Sequence, residues 1–178
     1  MSFFTRAATT ALTGFAILGF ASAAFADHVT PQPWNDEEMA VLSEAAIDVG
    51  IDTYTDVGPC VTREGLMGAF YQRGSLLVCT KAHGEDMAEL ADTVRHELLH
   101  AVQFCLNRDM IHPSHEDQFV EHAQDHLHMP MMAYDPEDWG GEAEARVLAS
   151  ILSEEEIAVM LREACANHTW PKNIPGNN

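Results

Sequence analysis

The stretch from about Glu85 to Asn107 constrains this chain more than any other. Leu90, Val94, Leu98, Ala101 and Cys105 recur at steps of four, four, three and four. That is a core-facing stripe at the period of an α-helix. The opposite face carries Glu89, Asp92, Thr93, His96, His100, Gln103 and Asn107. The chain must therefore build a core against one side of a long helix, and its two histidines line either solvent or a cleft.

The remaining segments read as partners for that helix. Asn35-Asp36-Glu37-Glu38 opens a helix with Met39, Leu42, Ala46 and Val49 as its apolar stripe, and Gly50 can end it. Gly68 to Lys81 reads as strand, turn and strand, with β-formers at Phe70 and Leu76 to Val78 and a turn at Arg73-Gly74. Ser114, with Asp117 three residues on, marks a helix start running to about His128, and Pro130 stops it. Asp135-Pro136 precedes a helix from about Trp139 to Leu152. Ser153 and Glu156 form a capping box for a last helix to Ala166. The expected fold is one mostly helical α+β domain with a small antiparallel sheet.

The first 26 residues predict an export signal. Arg6 is the only charge, Ala11 to Ala24 is apolar and small, and Ala24-Phe25-Ala26 fits a signal-peptidase site. The mature domain would be residues 27–178, periplasmic or secreted, with no stable membrane anchor. It would hold 8 basic and 28 acidic residues, a net charge of −20. Such a surface repels phosphate backbones, which argues against nucleic acid as a partner. An even count of cysteines in an exported chain suggests two disulfides. Of the three possible pairings, Cys60–Cys79 with Cys105–Cys165 is preferred. The first bond brackets the predicted hairpin, and the second ties the long helix to the last one.

Chemistry concentrates in His96-Glu97-Leu98-Leu99-His100. Residues four apart stack on one helical face, so both imidazoles can reach one ion. Zinc suits such ligands and lowers the pKa of its water towards about 7. Glu97, rotated around the helix from His96, suits the role of general base. A third ligand is needed, and Trp139-Gly140-Gly141-Glu142-Ala143-Glu144-Ala145-Arg146 offers one.

Here the chain resembles the gluzincin group of metallopeptidases, in which HExxH is followed on a later helix by a glutamate in a pattern like E-x-x-A. The resemblance spans His96 to Arg146. It implies a Zn²⁺ site of His96, His100 and Glu142, with Glu144 as the fallback ligand and Glu97 as base. It also implies hydrolysis of a protein or peptide substrate, paired with an edge strand beside the motif helix, for which Leu76 to Cys79 is the candidate. Many members carry Asp or Asn after the Ala, to orient a ligating histidine; this chain has Arg146 there. Metzincins are disfavoured, because Gln103 to Asp109 holds neither their glycine nor their third histidine.

Tyr134, His128 and Tyr71 are candidate donors for an oxyanion, with Tyr134 preferred. His112, His115, His122, His126 and His128, followed by Met129, Met131 and Met132, form a second cluster. It reads either as a solvated helix over the site or as a second metal site. Two further readings follow from these features. One is a periplasmic His/Met-rich protein for metal storage or delivery. The other is an inactive zincin acting as a binding module.

Overall fold

The computed structural model describes residues 37–125, 127 and 134–171. The expected export segment, His126, His128, Met129, Met131, Met132 and the tail after residue 171 lie outside them. The element order is α1 (Glu37–Asp48), β1 (Asp52–Thr55), α2 (Pro59–Thr62), β2 (Gly68–Tyr71), β3 (Ser75–Val78), α3 (Thr80–His83), α4 (Met87–Cys105), α5 (Glu116–Asp125), α6 (Trp139–Ile151) and α7 (Glu154–Cys165). A single 3-10 turn, Pro113–His115, leads into α5. The domain is mostly helical α+β, as expected. Among the described residues no helix is long and apolar enough to cross a membrane.

The long helix is α4, and α1, α3, α6, α7 and the strands β2 and β3 pack against it. Its stripe of Leu90, Val94, Leu98 and Ala101 is buried, joined by Leu99 and Val102. Facing them are Met39, Leu42, Ala45 and Ala46 of α1 and Leu76 and Val78 of β3. Ala145, Leu148 and Ala149 of α6 and Ile157, Ala158 and Leu161 of α7 complete the core. Such period-matched faces are what hold a domain of this size together. A smaller cluster of Ala123, Ala143 and Val147 joins α5 to α6. Asp86 caps α4 by accepting from Glu89 N, and Ser153 and Glu156 form the reciprocal capping box of α7.

Two disulfides complete the frame, Cys60–Cys79 and Cys105–Cys165, in the preferred pairing. The first ties the α2 region to the end of β3. The second ties the C-terminal end of α4 to the end of α7. Both are consistent with an exported protein.

The sheet departs from expectation in two ways. It is mixed rather than antiparallel, with strand order β1-β3-β2; β2 pairs antiparallel to β3, and β1 pairs parallel to it. In consequence Leu76 to Val78 is central, not an edge. The cause is β1, a four-residue strand over Asp52–Thr55 that is too short to fix its own pairing from sequence. The edge strand beside α4 is β2.

Candidate metal centre

Three elements meet at one cleft of about 720 Å³. The middle of α4 forms its floor, the N-terminal turn of α6 one wall, and the edge strand β2 the other. Two glycines allow the close approach. A Cβ on Gly68 would lie 2.7 Å from Thr93 Cγ2 and 3.2 Å from Glu97 Cγ, so only glycine lets β2 sit this near α4. A Cβ on Gly141 would lie 2.6 Å from the Asp109 carbonyl oxygen, so glycine seats the start of α6 under the loop after α4.

His96, His100 and Glu142 converge in this cleft. Their ligand atoms all lie within 4.8 Å of one another, and among the described residues no other group of three does so. His96 Nε2 and His100 Nε2 are 3.0 Å apart. Glu142 Oε2 is 3.4 Å from the first and Glu142 Oε1 is 3.4 Å from the second. Two donors on one tetrahedral ion, with bonds near 2.0–2.1 Å, stand about 3.3 Å apart. Two imidazoles and a carboxylate at these separations therefore fit a divalent cation that accepts nitrogen and oxygen.

Glu97 lies beside this set and outside it. It is 9% exposed, and its Oε2 accepts a 2.7 Å hydrogen bond from Phe70 N of β2. The strand that borders the cleft thus holds the carboxylate in place. Tyr134 lines the same cleft, and its carbonyl accepts from Trp139 Nε1 at 3.1 Å, which anchors it to the start of α6. Burial raises the Tyr134 pKa, the charges of Glu142 and Glu97 raise it further, and Arg146 opposes them. The phenol therefore keeps its proton and can donate. Burial also raises the Tyr71 pKa, with Arg63 lowering and Glu97 raising it, but Tyr71 does not line the cleft. His128 lies outside the described residues.

Several other expectations resolve here. Glu144 is not a ligand: it is fully buried and accepts from Gln103 Nε2 and from the backbone N–H groups of Ile111 and His112. Its two-residue offset from Glu142 turns it to the far side of α6, as helical geometry requires. Arg146 bonds Asp92 and so clamps α6 to α4. His112 lies 3.1 Å from Glu144 through Nδ1, and His115 hydrogen-bonds Ser114. The middle of the α4 face opposite the apolar stripe is cleft wall, with His96 at 7% and Gln103 at 5% exposure, while Glu89 near its start and Asn107 just beyond its end are exposed. Gln103 had no role assigned from sequence. Its one signal was the three-residue step from His100, which puts both on one face.

The charges predict a pH response for the protein stripped of metal. Burial disfavours the His100 imidazolium, but hydrogen bonding to Glu142 and the charges of Glu142 and Glu97 outweigh it, raising the pKa from 6.5 to about 9. Burial likewise opposes the Glu142 carboxylate, and hydrogen bonds from His100 and His96 outweigh that, lowering the pKa from 4.5 to about 2. A raised histidine stabilises fully below its unfolded pKa of 6.5 and ceases to do so as pH rises through about 9. A depressed carboxyl stabilises above 4.5 and ceases to do so as pH falls through about 2. Thermal unfolding of metal-stripped protein is expected to show this contribution in full between pH 4.5 and 6.5, fading on both sides. With metal bound, the alkaline decline is expected to vanish, because the ion takes the place of the His100 proton. A flat alkaline profile without metal would count against the His100–Glu142 pairing.

No family model matches the chain, and no curated protein or solved structure does either.

Proposed function

We propose that this chain is an exported, zinc-dependent metallopeptidase of gluzincin-like kind, which hydrolyses peptide bonds of a protein or peptide outside the cytoplasm. The observation that supports it is the convergence of His96, His100 and Glu142 with a buried carboxylate, Glu97, alongside but not among the ligands. A site built only to store a cation has no use for a second carboxylate held apart from the ligands by a backbone hydrogen bond.

His96, His100 and Glu142 would hold the zinc, which supplies Lewis acidity to acidify a water and polarise a carbonyl. Glu97 takes a proton from the attacking water as the new C–O bond forms. Tyr134 donates to the oxyanion of the tetrahedral intermediate. Glu97 then hands the proton to the amine as the C–N bond breaks. Among the described residues β2 pairs with β3 alone; its other side, where Phe70 N is bonded to Glu97, would lie along an extended substrate.

The test is metal content and cleavage together. Purified protein is expected to hold one zinc per chain and to cleave an unfolded protein substrate. A chelator is expected to abolish cleavage and added zinc to restore it. One tightly held zinc with no cleavage under any condition would favour the inactive binding module. Several metals per chain would favour the storage or delivery protein.

A further inference from the structure

Gln103 lies three residues beyond His100 on α4 and is bonded at both ends of its amide. Oε1 is 2.8 Å from His100 Nδ1. Nε2 is 3.0 Å from the Gly141 carbonyl oxygen and 3.0 Å from Glu144 Oε2. The partners decide which end is which. A carbonyl oxygen only accepts. Glu144 Oε2 also accepts from Ile111 N at 2.6 Å, so it too is an acceptor here. The NH₂ end therefore faces Gly141 and Glu144, with both hydrogens used, and the oxygen faces His100.

That orientation dictates the state of the histidine. An amide oxygen accepts, so His100 Nδ1 must carry a hydrogen and donate it. In a neutral ring the lone pair then stands on Nε2. This is the nitrogen that faces His96 Nε2 and Glu142. His96 has no equivalent support: its Nδ1 is buried and has no hydrogen-bond partner among the described residues. Glu144 in turn is held by the N–H groups of Ile111 and His112, each at 2.6 Å. The loop after α4 is thus linked through Glu144 and Gln103 to one ligand.

We propose that Gln103 is a positioning residue for the metal: anchored by Glu144 and Gly141, it fixes His100 as the Nδ1–H tautomer and aims Nε2 at the ion. This rests on the metal-binding half of the function proposed above and is independent of hydrolysis. Glu144 serves the site without touching the ion.

The experiment is zinc affinity by chelator competition in the wild type, Gln103→Met and His112→Leu, with folding checked by circular dichroism. Gln103→Met keeps an unbranched side chain and removes the acceptor. It is expected to bind zinc roughly 10- to 100-fold more weakly. His112→Leu takes one contact from Glu144 but leaves the amide–imidazole bond, and is expected to bind as the wild type does. Unchanged affinity in Gln103→Met would overturn the proposal and leave the metal site standing. An equal loss in His112→Leu would also overturn it, by pointing to general loosening of the loop. A wild type that binds no zinc would remove the metal site itself, and the proposal with it. Should Gln103→Met not fold, histidine-labelled wild type loaded with zinc decides by NMR. The expected result is zinc on His100 Nε2 and a slowly exchanging proton on Nδ1. Zinc on Nδ1, or rapid exchange of that proton, would overturn the proposal.

Discussion

Glu97→Gln is expected to keep one zinc per chain and to lower peptide hydrolysis by roughly 10²- to 10⁴-fold, the range removed with a general acid–base. The substitution is close to isosteric, and a glutamine oxygen can still accept from Phe70 N, as Glu97 Oε2 does at 2.7 Å. The side chain should therefore stay in place and lose only its ability to take a proton. Zinc titration beside a cleavage assay separates the two effects. Full activity would sink the role of Glu97 as base, and loss of zinc would make it a ligand.

The second large effect separates two glutamates that sit two residues apart. Glu142→Ala is expected to lose zinc while the metal-free fold survives, since the carboxylate faces the cleft with 21% of its side chain exposed. Glu144→Ala is expected to be strongly destabilised. Gln103 Nε2, Ile111 N and His112 N would all lose an acceptor at a fully buried position. Each such orphan costs about 1–3 kcal/mol, so the sum is roughly 3–6 kcal/mol after partial rescue by water. That is a large share of the 5–15 kcal/mol that typically holds a domain. Denaturant unfolding of the metal-free variants checks this. Equal stability in the two variants would remove Glu144 as an anchor, and zinc retained in Glu142→Ala would move the third ligand elsewhere.

Periodicity made the helices legible. The stripes of α1 and α4 and the capping box of α7 are patterns within one segment, and they gave those elements with ends displaced by a residue or two. The hairpin of β2 and β3 was legible because Arg73-Gly74 supplies turn chemistry. What failed was pairing between distant segments. Thr53, Tyr54 and Thr55 are β-formers, but nothing local in so short a run names its partner, and its parallel pairing with β3 decides which strand is the edge. At the site, the spacing of His96 and His100 and the later Glu142 could be read in the chain. The roles of Gln103, Glu144 and Arg146 could not. Each depends on how α6 lies against α4, and a polar residue on a helix face looks the same in sequence whether it meets solvent or a buried carboxylate.

The disulfide Cys105–Cys165 has a partner in topology. It joins α4 to α7 across 60 residues, while a metal on His100 and Glu142 would join α4 to α6 over a span that overlaps it. The two cross-links close overlapping loops, so the second to form closes a shorter loop than it would alone, and closure cost falls slowly with loop length. Their contributions to the folded state are therefore less than additive. A reduced chain should depend on metal for its fold more than an oxidised one does, and a metal-starved chain should lean on its sulfur bridge.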